Sequence, residues 1–160
     1  MGSAPLTPVP VAEALARVSA APRGLLALGM RSCAACMLLP ASLAEIARAR
    51  PDLVIAIGEF AGPEDWRQRE ALLWPRGIHV SRSSVPAMAV LVDGEVVASR
   101  QGAAPAEQID RWLEEVLGPA AHPLPGCLTP RELEALEAVS GRIARQSGVK
   151  ERRAHGLSAA

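Results

Sequence analysis

The 160-residue chain has few aromatic side chains and no net charge. Phe, Trp and Tyr make up 2% of it, with one Phe and no Tyr, so its core must rest on Leu, Val, Ile and Ala. Single-stranded nucleic acids are commonly bound by stacking their bases on aromatic rings, which disfavours that class of ligand. Because the formal net charge is zero, no global field attracts nucleic acid or an anionic membrane.

Long apolar runs and targeting signals are also missing. No run reaches the roughly 18 apolar residues that a membrane-spanning helix needs. The first residues, "MGSAPLTPVP", lack the basic stretch followed by an apolar stretch that is typical of a secretory signal. We therefore expect a cytoplasmic protein without a membrane partner, in a compartment that keeps thiols reduced.

Cysteine occurs only three times, at Cys33, Cys36 and Cys127. Three thiols in a reducing compartment indicate chemistry more than a structural disulfide framework. The first two form the motif Cys-Ala-Ala-Cys, which is compatible with a redox pair, half of a metal site, or two small core residues. A zinc site needs two more soft ligands at matching spacing. Neither Cys127 nor the three His supply a second such motif, so we predict no metal.

Hydrophobic periodicity predicts an α/β fold around this motif. Apolar runs indicate buried strands over residues 24–30 and 52–60, and Asp93-Gly94 between two β-rich runs indicates a tight hairpin over 87–102. A short extended piece is predicted at Ile78–Val80. Amphipathic helices are predicted over about residues 10–20, 37–51, 62–74 and 104–118. The strand–helix–strand order predicts a parallel pair, so the sheet should be mixed, with about four to five strands and helices on both faces.

The position of the cysteines between a strand and a helix favours dithiol chemistry. Cys33 is expected at the helix N-terminus, where the dipole and free N–H groups stabilise a thiolate. Cys36 should lie one turn further in and be better buried. Pro40 falls inside the helical pattern, so a kink is expected there.

The chain resembles proteins of the thioredoxin fold over about residues 5–118. The likeness rests on "CAAC" after "GLLALG", on "SVPAMAVLVDGEVVASRQGA" and on the closing "IDRWLEEVL". The resemblance implies that Cys33 and Cys36 are catalytic and that Pro86 is cis and lies against them. It further implies that the backbone of Val85 pairs with an extended client segment, with Gly102 and Ser32 beside it, and that no cofactor is needed.

Several residues depart from the pattern of that family. Ser32 replaces the usual Trp, Ala34-Ala35 replaces Gly-Pro, and Ala27 replaces a buried acid that helps to deprotonate the resolving cysteine. Glu59 is either a partial substitute for that acid or a solvated loop residue. The loop over residues 74–84 is longer than expected, and its Trp74 and His79 are either part of a partner surface or a capping Trp and a solvated His.

The last part of the chain is predicted to be an appendage. We expect a domain over residues 1–118, then a linker and a C-terminal helix with a frayed tail over 119–160. The apolar stripe of this helix should be buried against the sheet or another chain; it consists of Leu133, Leu136, Val139 and Ile143. Cys127 is interpreted as an incidental thiol, with a third redox thiol as the alternative.

Together these patterns predict a thiol–disulfide oxidoreductase. Its partners would be a disulfide-containing client protein and an external dithiol or reductase as electron donor. The alternative is an adaptor or chaperone of the same fold that binds one client with weak redox activity, and a third interpretation is metal handling through the dithiol. The sequence makes no prediction of oligomeric state.

Overall fold

The computed structural model describes residues 6–124, 131, 134–139 and 141. The chain divides into two units, residues 1–124 and 125–160. The first unit thus extends past the predicted boundary at Gly118. In the second unit, residues 134–139 are helical, and Leu136 and Val139 are exposed. Cys127, Leu133 and Ile143 lie outside the described residues.

The first unit is built on one five-stranded sheet in the order β1-β3-β2-β4-β5. Strands β1, β3 and β2 are parallel, whereas β4 is antiparallel to β2 and to β5. This confirms the predicted mixed α/β sheet. The strands are β1 (Val9–Pro10), β2 (Arg23–Met30), β3 (Val54–Phe60), β4 (Ala87–Val92) and β5 (Glu95–Gln101); the helices are α1 (Val11–Ser19), α2 (Leu39–Ala49), α3 (Pro63–Leu72) and α4 (Ala106–Leu117).

Helices cover both faces of the sheet because its central strands are apolar on both sides. Leu26 and Leu28 of β2 belong to one core cluster with Val18 of α1 and Trp66 of α3. Leu25 and the other alternate residues of β2 point to the opposite face. There α2 and α4 pack against each other, and their fully buried side chains are Leu43, Ile46, Ile109 and Leu113.

The predicted hairpin and the predicted helix end are confirmed. Asp93 and Gly94 have φ angles of 50° and 82°, the two positive values that a tight two-residue turn between antiparallel strands requires. Gly118, directly after α4, has a φ of 89°, a conformation that glycine adopts without a steric penalty.

The segment after the cysteines differs from the prediction. A 3-10 helix covers Ala35–Leu38, and the α-helix begins only at Leu39. Pro40 therefore lies in the first turn of α2 instead of kinking its interior, because first-turn N–H groups have no partner within the helix and Pro loses nothing there. It follows that Cys33 lies in a turn and not at the N-terminus of an α-helix.

Two further elements were not as expected. Ile78 and Val80 are buried in the core cluster but form no strand, and the N–H of Ile78 donates to the carbonyl of Leu73 at 3.1 Å. Strand β1 has two residues, too few to produce a pattern of alternation. None of the helices in the part of the chain described here is long and apolar enough to cross a membrane.

Candidate functional site

Cys33 and Cys36 are joined by a disulfide, with their Cα atoms 5.2 Å apart. The N–H of Cys33 donates to the carbonyl of Met30 at 3.2 Å, which closes the turn directly after β2. Cys33 is half-buried, while Cys36 is 9% exposed, so the expected difference in burial is confirmed. The backbone N–H of Cys36 lies 3.1 Å from Sγ of Cys33. In the reduced pair, this donor would stabilise a thiolate on the accessible sulfur.

Cys36 packs directly against the backbone of β2 at Gly29. A Cβ built on Gly29 would lie 3.0 Å from Cβ of Cys36 and 3.2 Å from its Sγ. Any larger residue at position 29 would therefore displace the sulfur of Cys36. Sequence reasoning missed this role, although a glycine near the end of a buried strand beside the cysteine motif is a signal of close backbone approach.

The segment before β4 lies beside the accessible sulfur. The Val85–Pro86 peptide bond is cis, and the carbonyl oxygen of Val85 is 4.0 Å from Sγ of Cys33. Gly102 has a φ of 93° and donates its N–H to the carbonyl of Pro86 at 2.8 Å. Within residues 6–124, the N–H of Val85 has no hydrogen-bond partner. The structure thus brings the predicted residues 85, 86 and 102 together next to Cys33.

Solved thioredoxins share this architecture. Thioredoxin f2 of Chlamydomonas reinhardtii superposes with a TM-score of 0.54 at 14% identity, covering 71% of this chain and 98% of its own. The oxidised thioredoxin of Plasmodium falciparum gives 0.53 at 14%, covering 69% and 97%. A thioredoxin f2 in complex with ferredoxin:thioredoxin reductase gives 0.53 at 18%, covering 72% and 98%.

The chain has a thioredoxin-like fold. No family model matches it, and no curated protein matches it. The likeness is therefore one of three-dimensional structure, and it covers about seven tenths of the chain.

Within this thioredoxin-like fold, the acid near Cys36 comes from β3. Ala27 is fully buried and carries no carboxylate. Glu59 is the register partner of Gly29, so its side chain leaves the sheet on the same face, about 5 Å away along the hydrogen-bonding direction. Its side chain is 23% exposed and pairs with Arg31 at 2.9 Å. Cys36, Glu59 and Arg31 line one cavity of about 300 Å³, so Glu59 is a strand residue that shares a cavity with Cys36 and not a loop acid.

A second cavity, of about 470 Å³, lies on the other side of the motif. Ser32, Arg31, Trp66 and Arg82 contribute to its lining, and we call it the Arg82 cavity. Ser32 is exposed, so it can contact a bound client. Trp74 and His79 are in contact, with ring centroids 5.8 Å apart, but neither lines the two cavities beside the cysteines.

Among the described residues, no three His, Cys, Asp or Glu side chains converge on a position that could hold a metal ion. Beside the cysteine pair, the structure places the carboxylate of Glu59 in the cavity that Cys36 lines.

Proposed function

We propose that the protein is a thiol–disulfide oxidoreductase in which Cys33 attacks and Cys36 resolves. The observation that carries the proposal is the asymmetry of the disulfide. One sulfur is accessible, receives an N–H at 3.1 Å and lies next to the carbonyl of Val85, while the other is buried against Gly29. Exchange needs such a pair, because one thiolate must meet the client and the second must reach the mixed disulfide.

In the reducing direction the steps are as follows. The Cys33 thiolate attacks one sulfur of the client disulfide, forming a mixed disulfide and releasing the other client sulfur as a thiolate. The Cys36 thiolate then attacks Sγ of Cys33, which breaks the mixed disulfide and releases the second client sulfur. Two electrons have passed to the client, and Cys33–Cys36 is left as a disulfide.

The client would be held by its backbone beside Cys33. The N–H of Val85 has no partner within the described first unit, and its carbonyl faces the reacting sulfur at 4.0 Å, so an extended client segment can pair with both groups as an added strand. Ser32 and Gly102 are exposed on either side. We assign them to client contact.

Glu59 is proposed to accept the proton of Cys36 in the resolving step. An ordinary thiol is mostly protonated at neutral pH, and only the thiolate is nucleophilic. The shared cavity of about 300 Å³ has room for a water molecule that bridges the thiol and the carboxylate. Arg31 would hold the carboxylate in place through its ion pair.

Regeneration requires a second partner. An external dithiol or reductase must reduce the Cys33–Cys36 disulfide and itself become oxidised. One structural neighbour is a thioredoxin f2 in complex with a reductase, which supports this class of electron donor for the present chain.

The proposal is tested by equilibrating the protein in a series of thiol–disulfide buffers and trapping free thiols with an alkylating agent. We expect Cys33 and Cys36 to be labelled or protected together, with one reduction potential for the pair. In Cys36→Ser, clients should accumulate on Cys33, and Cys33→Ser is the matched control that should trap none. If Cys33 and Cys36 did not interconvert between dithiol and disulfide in any of the buffers, the proposal would be overturned.

The same experiment distinguishes the oxidoreductase from the alternative, which is an adaptor with weak redox activity. The absence of an acid at Ala27 and the unusual Ser32 favour that alternative. The adaptor would be supported by two results together: Cys33→Ser binds the client as well as the unchanged protein does, and Cys36→Ser captures no client as a mixed disulfide.

A further inference from the structure

The Arg82 cavity is cationic and directly adjoins the reacting cysteine. Its lining includes the side chains of Arg31 and Arg82 and the exposed Ser32, which precedes Cys33. No acidic residue is among the lining residues that the structure describes. Arg31 is paired with Glu59 at 2.9 Å, so the unpaired positive charge at the place where a client disulfide would dock is that of Arg82.

Arg82 is held in place by a closed turn of serines. The N–H of Ser81 donates to Oγ of Ser84 at 2.7 Å, and the N–H of Ser84 donates to the carbonyl of Ser81 at 3.1 Å. Oγ of Ser83 lies 3.0 Å from Oγ of Ser81. These bonds close the turn that carries Arg82, three residues before Val85, whose backbone is proposed to bind the client.

The guanidinium of Arg82 packs over the aromatic ring of Trp66. The Arg82 guanidinium lies 5.7 Å from the ring centroid of Trp66, and this ring stacks on Phe60 with centroids 4.0 Å apart. Trp66 itself is 8% exposed. A guanidinium that lies over an aromatic face keeps its N–H edge available, and that edge matches the two oxygens of a carboxylate.

Three carboxylates that lie close in sequence to residues lining this cavity are already engaged, and one of them, Glu64, pairs with Arg67 at 3.6 Å. Glu59 pairs with Arg31 at 2.9 Å. Asp65 accepts hydrogen bonds from the N–H groups of Ala61 and Gly62, at 2.7 and 3.3 Å. In the part of the chain that the structure describes, Arg82 has no carboxylate partner, so its charge is available to a ligand.

We propose that the Arg82 cavity binds an acidic side chain of the client, one or two residues away from the cysteine that Cys33 attacks. A strand advances about 3.3 Å per residue, so a residue that close to the client cysteine can reach a cavity that begins at Ser32. The inference rests on the proposed exchange function and adds the class of client: protein disulfides flanked by Asp or Glu.

The test uses three disulfide-bonded peptides that differ only in the residues flanking the cysteine, which are Glu, Gln or Lys. The second-order rate constant of each with the reduced full-length protein is divided by its rate constant with a neutral small dithiol, which removes the intrinsic effect of the flanking charge. We expect the Glu peptide to react about two- to fivefold faster than the Gln peptide, the range of an exposed ion pair, and the Lys peptide to react most slowly.

Variants assign the preference to Arg82. In Arg82→Gln the preference should disappear, and in Arg82→Glu it should be inverted. Arg48→Gln removes the same charge from the exposed far end of α2, about 14 Å along the helix from Leu39 at 1.5 Å per residue, and should keep the preference. Raising the ionic strength to about 0.5 M should reduce the preference of the unchanged protein, because salt screens exposed charges.

The two proposals can fail separately. If the ratio of the rate constants of the Glu and Gln peptides were the same in the unchanged protein and in Arg82→Gln, the acidic-client inference would be overturned. The exchange function would remain intact. A reduced protein that reacts with none of the three peptides would contradict the exchange function, and the inference would fall with it.

Discussion

Gly29 and Glu59 face each other across two parallel strands, and together they define the surroundings of Cys36. The missing side chain of Gly29 lets the sulfur approach the sheet, and the neighbouring strand supplies a carboxylate in the same cavity. The position that a carboxylate would be expected to occupy, Ala27, is apolar and fully buried. One residue thus makes room for the sulfur, while the other places a carboxylate in the same cavity.

Replacing Glu59 with Gln should slow the resolving step. Loss of the proton acceptor should lower the rate about tenfold near neutral pH, a modest value for positioned general-base catalysis. The difference should narrow as the pH rises, because hydroxide and water then remove the thiol proton directly. The measurement is the release of a chromophoric thiol from its mixed disulfide with Cys33, followed across a pH series.

Glu45→Gln is the matched control, because Glu45 is an exposed acid on α2. This variant should resolve at the unchanged rate at every pH. An equal rate in Glu59→Gln would show that Glu59 does not act on Cys36, and a faster rate that it acts only through the repulsion of its charge; either result would make the assigned role wrong.

Helix α2 is joined to α4 by a buried arginine that directly follows its C-terminal end. Arg50 is 3% exposed, and its Nε donates to Asp110 of α4 at 2.9 Å. A second guanidinium nitrogen donates to the carbonyl of Gly118 at 2.9 Å. Helix α2, which follows the 3-10 helix that contains Cys36, is therefore tied to α4 at its C-terminal end.

Replacing Arg50 with Met should destabilise the oxidised protein by about 3 kcal/mol, because the carboxylate of Asp110 is then left largely buried without a partner. The double variant Arg50→Met/Asp110→Leu should recover much of this loss, since it also removes the stranded charge. Urea unfolding of both variants measures the effect. A single variant as stable as the parent would show that the pair contributes nothing to stability.

For the whole molecule, local patterns in the sequence predicted most of the architecture. The two parallel strands, the Asp93-Gly94 hairpin and the amphipathic helices each follow from residues that are close together in the chain. The start of α2 could not be predicted in the same way, because apolar residues continue at helical spacing through the 3-10 helix at Ala35–Leu38. The cysteine pair was visible as a motif, whereas the position of Glu59 depends on the register between β2 and β3, and the Arg82 cavity depends on how a loop folds over Trp66.

The C-terminal boundary of the first unit also could not be predicted from the sequence, because it depends on contacts between distant parts of the chain. Composition predicted a linker after Gly118, but Leu124 is 6% exposed and the N–H of His122 donates to the carbonyl of Ala49 at 3.0 Å. Proline- and alanine-rich segments are often linkers. Here tertiary contacts, which composition does not encode, hold the segment in place.

Replacing Leu124 with Ala should therefore lower the free energy of unfolding of the first unit by about 2 kcal/mol, the low end for a buried Leu→Ala change. All three tryptophans are in the first unit, at Trp66, Trp74 and Trp112, so urea unfolding followed by tryptophan fluorescence reports on that unit. Leu136→Ala is the matched control, because Leu136 is 48% exposed and exposed changes cost less than about 0.5 kcal/mol. If both variants unfolded at the same urea concentration, Leu124 would contribute nothing to the first unit, and the boundary would lie at Gly118.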